Sequence, residues 1–448
     1  MKRSELLPTH NNLINTYCND SIGRNEEIYH FVRIINSIDG SYSVALNGNW
    51  GSGKTFFVKQ TQMIFDTYNP FTQMESELDG ESKQKVKSVW EKLCKKNNSE
   101  VWEPMNHVCV YYDAWEHDTD DNPIASLVYQ ITKTATEEYK FAGKRNLLDA
   151  AIGIIDLLTG KDIKEIISAL KEINITDEPK EKDKLRSKID TYFSELLPEH
   201  GDRLIIFIDE LDRCNPRYAV DLLEKIKHYF TNEKITFVFS VNMEQLQYTI
   251  QQFYGSNFNA YKYLDRFFDL TIPMPKVNWM KFYDVNDYNT SEYIYQQVAD
   301  SVIKAMSFEM REASRYLSTL KMITDSKSHE IHSTPDKTFC LCFLVPIAVG
   351  LYKSDISKYN DFISGKDPSM LINILCLDDF KDVAIELLVA ERNNNYSIEQ
   401  KIEEAYKAIF IDARNRQGIT VGNANFRPAT LQYFEKTVSI LTGITNIE

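Results

Sequence analysis

Eight residues, Gly48-Asn49-Trp50-Gly51-Ser52-Gly53-Lys54-Thr55, satisfy the spacing G-x-x-x-x-G-K-[ST]. Glycines at these places let backbone N–H groups close on phosphate oxygens. Lys54 adds a mobile cation for β- and γ-phosphates, and the Thr55 hydroxyl can coordinate Mg²⁺. A helix starting here adds the positive potential of its N-terminus. All eight positions are candidate nucleotide contacts, although Trp50 and Ser52 fill variable places and packing on a neighbour is the better reading of Trp50.

Such a site also needs an acid at a strand end to hold the metal. Leu204-Ile205-Ile206-Phe207-Ile208-Asp209-Glu210 supplies it: Asp209 is the metal-side carboxylate, and Glu210 can activate or orient a water beside the γ-phosphate. Asp212 and Arg213 read equally as part of the site or as a local ion pair or cap for a helix at Pro216. Asn242 reads equally as a sensor of the γ-phosphate or attacking water and as the cap of a helix over Met243–Gln251.

Positioning these groups takes alternating strands and helices. Ser43–Leu46 and His107–Asp113 read as strands, and Lys54–Tyr68 and Asn122–Lys133 as helices, the latter with Pro123 in its first turn. Leu204–Ile208 and Ile235–Val241 are continuous apolar runs, as in strands covered on both faces, and a helical pattern over Tyr218–Phe230 separates them. The expected class is α/β, a parallel sheet sandwiched by helices, with a largely helical insertion near residues 135–200 and a helical C-terminal region. The domains are placed at 1–275 and 276–448, the second carrying helical patterns at Ser291–Lys304 and Asp382–Glu391 and few convincing strands.

The charged run Asp177–Lys188 reads as a linker or helix start, and Leu147–Thr159, interrupted by Asp149 and Asp156, as an amphipathic helix. Thr338–Tyr352 is apolar but contains Pro346 and falls short of the roughly 20 residues that a spanning helix needs, so it reads as a buried helix. No transmembrane segment is expected.

The 448 residues are 43% hydrophobic and 26% charged, which excludes disorder and leaves room for two or three domains. With 51 Lys plus Arg against 65 Asp plus Glu, the net charge of −14 argues against a surface dedicated to DNA or anionic lipid; nucleic-acid contact would need a local patch. Seven cysteines without CxxC or zinc spacing fit reduced thiols. The N-terminus lacks the apolar core of an export signal, so a cytoplasmic location is expected. The eight histidines form no nuclease, protease or glycosidase constellation, which leaves any cutting to a partner.

Together, Gly48–Thr55 (GNWGSGKT), Tyr112–His117 (YDAWEH) and Ile208–Pro216 (IDELDRCNP) resemble the KAP family of P-loop NTPases. The likeness runs on through Tyr263–Pro275 and more faintly through Ser307–Leu317, covering roughly residues 20 to 350. It implies an AAA-like core with an additional strand, an ATP and Mg²⁺ site built on Lys54, Thr55, Asp209 and Glu210, and self-association. Trp115 matches a family aromatic and reads as a core tryptophan beside the sheet, with Glu116 as polar support. Arg266, Arg311 and Arg213 are candidates for a positive charge near the γ-phosphate, from the same chain or a neighbour.

Two departures stand out. Many members carry a membrane hairpin between the two nucleotide motifs, whereas the stretch between Lys54 and Asp209 holds no convincing span, and Asn242 stands where the family tends to have Asp. The resemblance implies an ATPase whose cycle drives conformational change or assembly, as the ATPase component of a multi-protein bacterial anti-phage defence system beside a protein partner with effector activity. The alternative is a nucleotide-gated scaffold with negligible hydrolysis. A nucleic-acid motor is disfavoured by the charge.

Overall fold

The computed structural model describes residues 7–73, 80–140, 144–159, 179–197, 201–286, 288–290, 293–324, 333–390 and 397–442. Contacts divide the chain into an N-terminal unit, Leu7–Lys281, and a C-terminal unit from Phe282 onward.

The N-terminal unit is built on five strands: β1 (Tyr42–Asn47), β2 (His107–Asp113), β3 (Arg203–Asp209), β4 (Ile235–Val241) and β5 (Leu270–Pro273). All pairs are parallel and the order is β2-β3-β4-β1-β5. The strand β4 therefore lies between the one that feeds the phosphate loop and the one that ends in Asp209, which is the additional strand the sequence resemblance implies. In register, Asp113 stands opposite Asp209, Asp209 opposite Ser240, and Asn47 opposite Val241. Four strands thus finish at one edge, where an open α/β sheet places its ligand site.

Every residue of β3 and β4 is buried, which explains their unbroken apolar runs. The strand pleat splits them between two cores. Ile205, Phe207 and Val238 join Val44 and Leu46 under α1 (His10–Cys18), α2 (Asn25–Asn36), α3 (Lys54–Tyr68) and α4 (Gly80–Lys96). Leu204, Ile206, Ile208, Phe237 and Phe239 face the other way. They pack with α5 (Pro123–Glu138), α6 (Lys144–Thr159), α7 (Pro179–Leu196), α8 (Pro216–Tyr229), α9 (Met243–Tyr254) and α10 (Ala260–Leu264).

Local signals start these helices. Pro123 and Pro216 open α5 and α8, where a missing N–H costs nothing, and the Asn122 and Asn215 side chains accept from the first-turn N–H groups. The charged run is a helix from Pro179 onward rather than a linker, its first two residues lying outside the described ones. In the insertion, Leu147, Ala151, Ile154 and Leu158 of α6 and Leu185, Ile189, Tyr192 and Phe193 of α7 all join the second core.

The C-terminal unit is mainly helical, with helices such as Ile294–Ala305, Met310–Thr324 and Asp378–Leu388. It also carries a short antiparallel hairpin, Ile419–Val421 with Ala424–Phe426, that the sequence reading did not find. The helix that carries the apolar segment is longer than that segment: Pro335–Ser354 is 20 residues, long and apolar enough to cross a membrane, and is mostly buried inside the protein. Proline inside a helix lacks a donor and crowds the carbonyl four residues back. The π-helical turn Cys340–Leu344 directly precedes Val345-Pro346 and makes room for that ring without ending the helix.

Candidate functional site

The phosphate loop leaves β1 at Gly48, whose N–H donates to the Val241 carbonyl at 3.1 Å. A Cβ on Gly48 would stand 2.6 Å from Met274 Cβ, so only glycine lets the loop pass there. Gly53 enters α3 with φ of +87°, a conformation that favours glycine. The Lys54 side chain is buried along the loop, its ammonium donating to the carbonyls of Gly48 (2.8 Å) and Asn49 (3.2 Å). Burial pulls Lys54 down from the usual lysine range, and the charges of Asp212, Asp209 and Glu210 oppose that shift.

Arg24, which the motifs did not reveal, braces this loop from behind. It is buried, and its guanidinium donates at 2.7 Å to the Ser52 carbonyl in the loop and at 2.7 Å to the Pro275 carbonyl after β5. Partners so distant in sequence leave no local spacing to read.

Asp209 ends β3 in a buried position. Its Oδ2 accepts from Thr55 Oγ1 at 2.7 Å and from the Tyr111 hydroxyl at 2.9 Å, and its Oδ1 accepts from the Glu210 N–H at 3.0 Å. The structure thereby joins the two predicted metal-side groups across 154 residues of chain. Tyr111 is a further site residue not foreseen, and the Lys59 ammonium stands 4.1 Å from its ring centre. Asp113, beside Asp209 in the sheet, accepts from the N–H groups of Trp115 and Glu116; burial raises its carboxyl, and Asp209 adds to that.

Glu210 adopts a left-handed backbone, φ +61°, at the strand-to-turn corner. Burial, reinforced by the Asp209 charge, pushes its carboxyl up to about 7 against the pull of Arg213. The Arg213 Nε donates to Glu210 Oε2 at 2.6 Å. Asp212 and Arg213 therefore do not pair with each other, nor do they cap α8, which Asn215 does. Asp212 is buried and accepts from the Trp50 indole N–H.

Of the two tryptophans near the site, Trp50 lies against a neighbour, Arg213, whereas Trp115 departs from the core reading. Trp50 and Trp115 are exposed, and each ring faces the Arg213 guanidinium. Trp115 is therefore not a core residue: the turn after β2 carries it outward once its N–H binds Asp113. Glu116 is exposed and touches the site through its backbone. Asn242 caps α9, its Oδ1 accepting from the Glu244 and Gln245 N–H groups.

The remaining candidate arginines are Arg266 and Arg311. Arg266 is exposed and precedes β5, where Asp269 already pairs with Ser43 at the start of β1. That is the opposite sheet edge from the phosphate loop, so the fold does not bring Arg266 to the loop of its own chain. Arg311 is exposed on the helix Met310–Thr324 of the C-terminal unit.

The donor set fits a phosphate-bound Mg²⁺. Among the described residues no cluster of three or more His, Cys, Asp or Glu forms a metal cage. Mg²⁺ is commonly held by one or two protein oxygens with phosphates and waters completing its shell, and Thr55 Oγ1 and Asp209 Oδ2 supply such a pair.

Residues 24–322, two thirds of the chain, match the KAP family P-loop domain. An uncharacterized protein of Methanocaldococcus jannaschii is 29% identical over 168 residues, covering 28% of this chain and 84% of that one. The Aeropyrum pernix Orc1 protein, solved in complex with DNA, aligns over 94% of this chain and 92% of its own at 12% identity and a TM-score of 0.33. A likeness of that strength carries nothing about partners.

Proposed function

The chain belongs to the KAP family of P-loop NTPases, and we propose that it is an ATPase whose binding and hydrolysis of ATP drive a change of conformation or assembly. The observation that carries this reading is the meeting of Thr55 and Asp209 at 2.7 Å beside the glycine loop, with Lys54 on one side and Glu210 on the other. Lys54 would exchange its carbonyl partners for phosphate oxygens, and loop N–H groups would hold the rest of the phosphate. Glu210 would hold and orient the attacking water. Bound Mg²⁺ supplies neutralising charge to the β- and γ-phosphates, with Thr55 and Asp209 as the residues that would hold it. Asn242 has a cap role that leaves sensing of the γ-phosphate as a proposal alone.

Self-association is part of the proposal, because Arg266 on the far edge could serve only a neighbour's site; Arg311 is a second candidate. ATP as the nucleotide, a protein partner with effector activity and a part in bacterial anti-phage defence rest on the family resemblance, and a cytoplasmic location rests on the N-terminal sequence and the reduced cysteines.

The ion pair between Glu210 and Arg213 favours a second reading, a nucleotide-gated scaffold in which Glu210 does no hydrolysis. Glu210→Gln separates the two. An ATPase should lose about 10² or more in turnover while ATP binding persists; a scaffold should show negligible turnover before and after the change.

A further inference from the structure

Trp50 and Trp115 are 45% and 52% exposed. Between them lies Arg213, its guanidinium carbon 5.6 Å from each ring centre, within the range of cation–π attraction. The same guanidinium reaches Glu210 Oε2 at 2.6 Å. Three segments meet here: the phosphate loop, the turn after β2 and the 3₁₀ turn Leu211–Arg213.

The Trp50 ring is tied by its indole N–H, which donates to Asp212, and the Trp115 backbone is tied by its main-chain N–H, which donates to Asp113. Asp118, in the same turn as Trp115, accepts from the Asn215 N–H and so fastens that turn to the start of α8. A planar guanidinium can shift between two aromatic faces without losing both contacts, and it matches carboxylate and phosphate oxygens alike. Among the described residues, the carboxylate of Glu210 is the group that fixes its position along them.

We propose that Arg213 exchanges partners. It holds Glu210 when no triphosphate is bound, and moves along the Trp50 and Trp115 faces to the terminal phosphate of a bound nucleoside triphosphate. That move frees Glu210 to hold water. A diphosphate lacks the group that draws Arg213 away, so the exchange distinguishes ATP from ADP. The proposal rests on the ATP-binding reading above and adds to it the device that links the terminal phosphate to the hydrolytic carboxylate. The two tryptophans should report the exchange, since their environment changes when the cation between them moves.

The test compares a non-hydrolysable ATP analogue with ADP on the full chain, by calorimetry and tryptophan emission. Arg213→Gln should weaken the analogue by about tenfold or more, the loss of a contact between charged groups, and leave ADP within about twofold. It should also abolish the emission change specific to the analogue. Arg213→Lys keeps the charge without the planar stacking and should restore part of the affinity. Retained ADP binding shows that each variant folds. An unchanged analogue-to-ADP ratio, or equal loss of both, overturns the exchange while leaving ATP binding intact. If the unaltered chain binds neither nucleotide, the ATP-binding reading and the exchange fall together.

Discussion

Replacing Arg24 with Met removes two hydrogen bonds from a buried cation to carbonyls, one in the phosphate loop and one after β5. A hydrogen bond to a charged group is worth about 1.5–3 kcal/mol, so these two together are worth about 3–6 kcal/mol. Met preserves much of the side-chain volume, and water can reach the carbonyl of Pro275, whose contact is only part-buried, so a loss of about 3 kcal/mol is expected. For a unit of this size that lowers the melting temperature by about 5 °C. All five tryptophans lie between residues 50 and 279, so their emission follows the N-terminal unit alone. With the Ser52 carbonyl no longer anchored, the loop should also lose about tenfold in affinity for ATP, roughly one such bond's worth. Arg24→Lys, which reaches one carbonyl, should fall between. A variant with Met that melts within about 1 °C of the parent and binds ATP equally well would refute the bracing role.

Asp66 of α3 is fully buried, and burial pushes its carboxyl up to about 7, with the Tyr139 hydroxyl donating to it at 2.6 Å. The folded chain keeps a proton that the unfolded chain releases near the ordinary carboxylate value. This stabilisation is complete at low pH and is lost as pH rises through 7, at about 1.4 kcal/mol per unit between about pH 4 and 7. Asp66→Asn should therefore gain on the parent by about 3 kcal/mol from pH 5 to 8 in urea unfolding, whereas a constant difference would place the titration elsewhere. Glu210, also raised to about 7 by burial, must be ionised to orient water, so kcat/KM should climb through neutral pH and level off above it. A profile flat from about pH 6 to 8 would remove Glu210 from that role.

The sequence made the site's centre legible because its parts are local: the glycine loop, the apolar run into Asp209, and the doubly covered strands β3 and β4. The order of the sheet entered only through the family resemblance. Strand β5 escaped notice because it is a four-residue edge strand with alternate residues exposed and Pro273 at its end. Arg24, Tyr111 and Asp113 were hidden for a different reason, since each gains its meaning from a partner far away in sequence. Trp115 was misjudged because a large aromatic beside a strand is usually buried, whereas here the Asp113 turn directs it toward Arg213. For Asp212 and Arg213 a site role and a local pair or cap read equally from the sequence; the structure pairs Asp212 with Trp50 and Arg213 with Glu210.

Steady-state hydrolysis of ATP with Mg²⁺, measured across protein concentrations with Lys54→Ala as the blank, tests the central claim most directly. The geometry around Lys54, Thr55, Asp209 and Glu210 predicts a rate that vanishes in the blank, and a neighbour's Arg266 predicts specific activity that rises with concentration. A rate no higher than the blank at every concentration would contradict the ATPase.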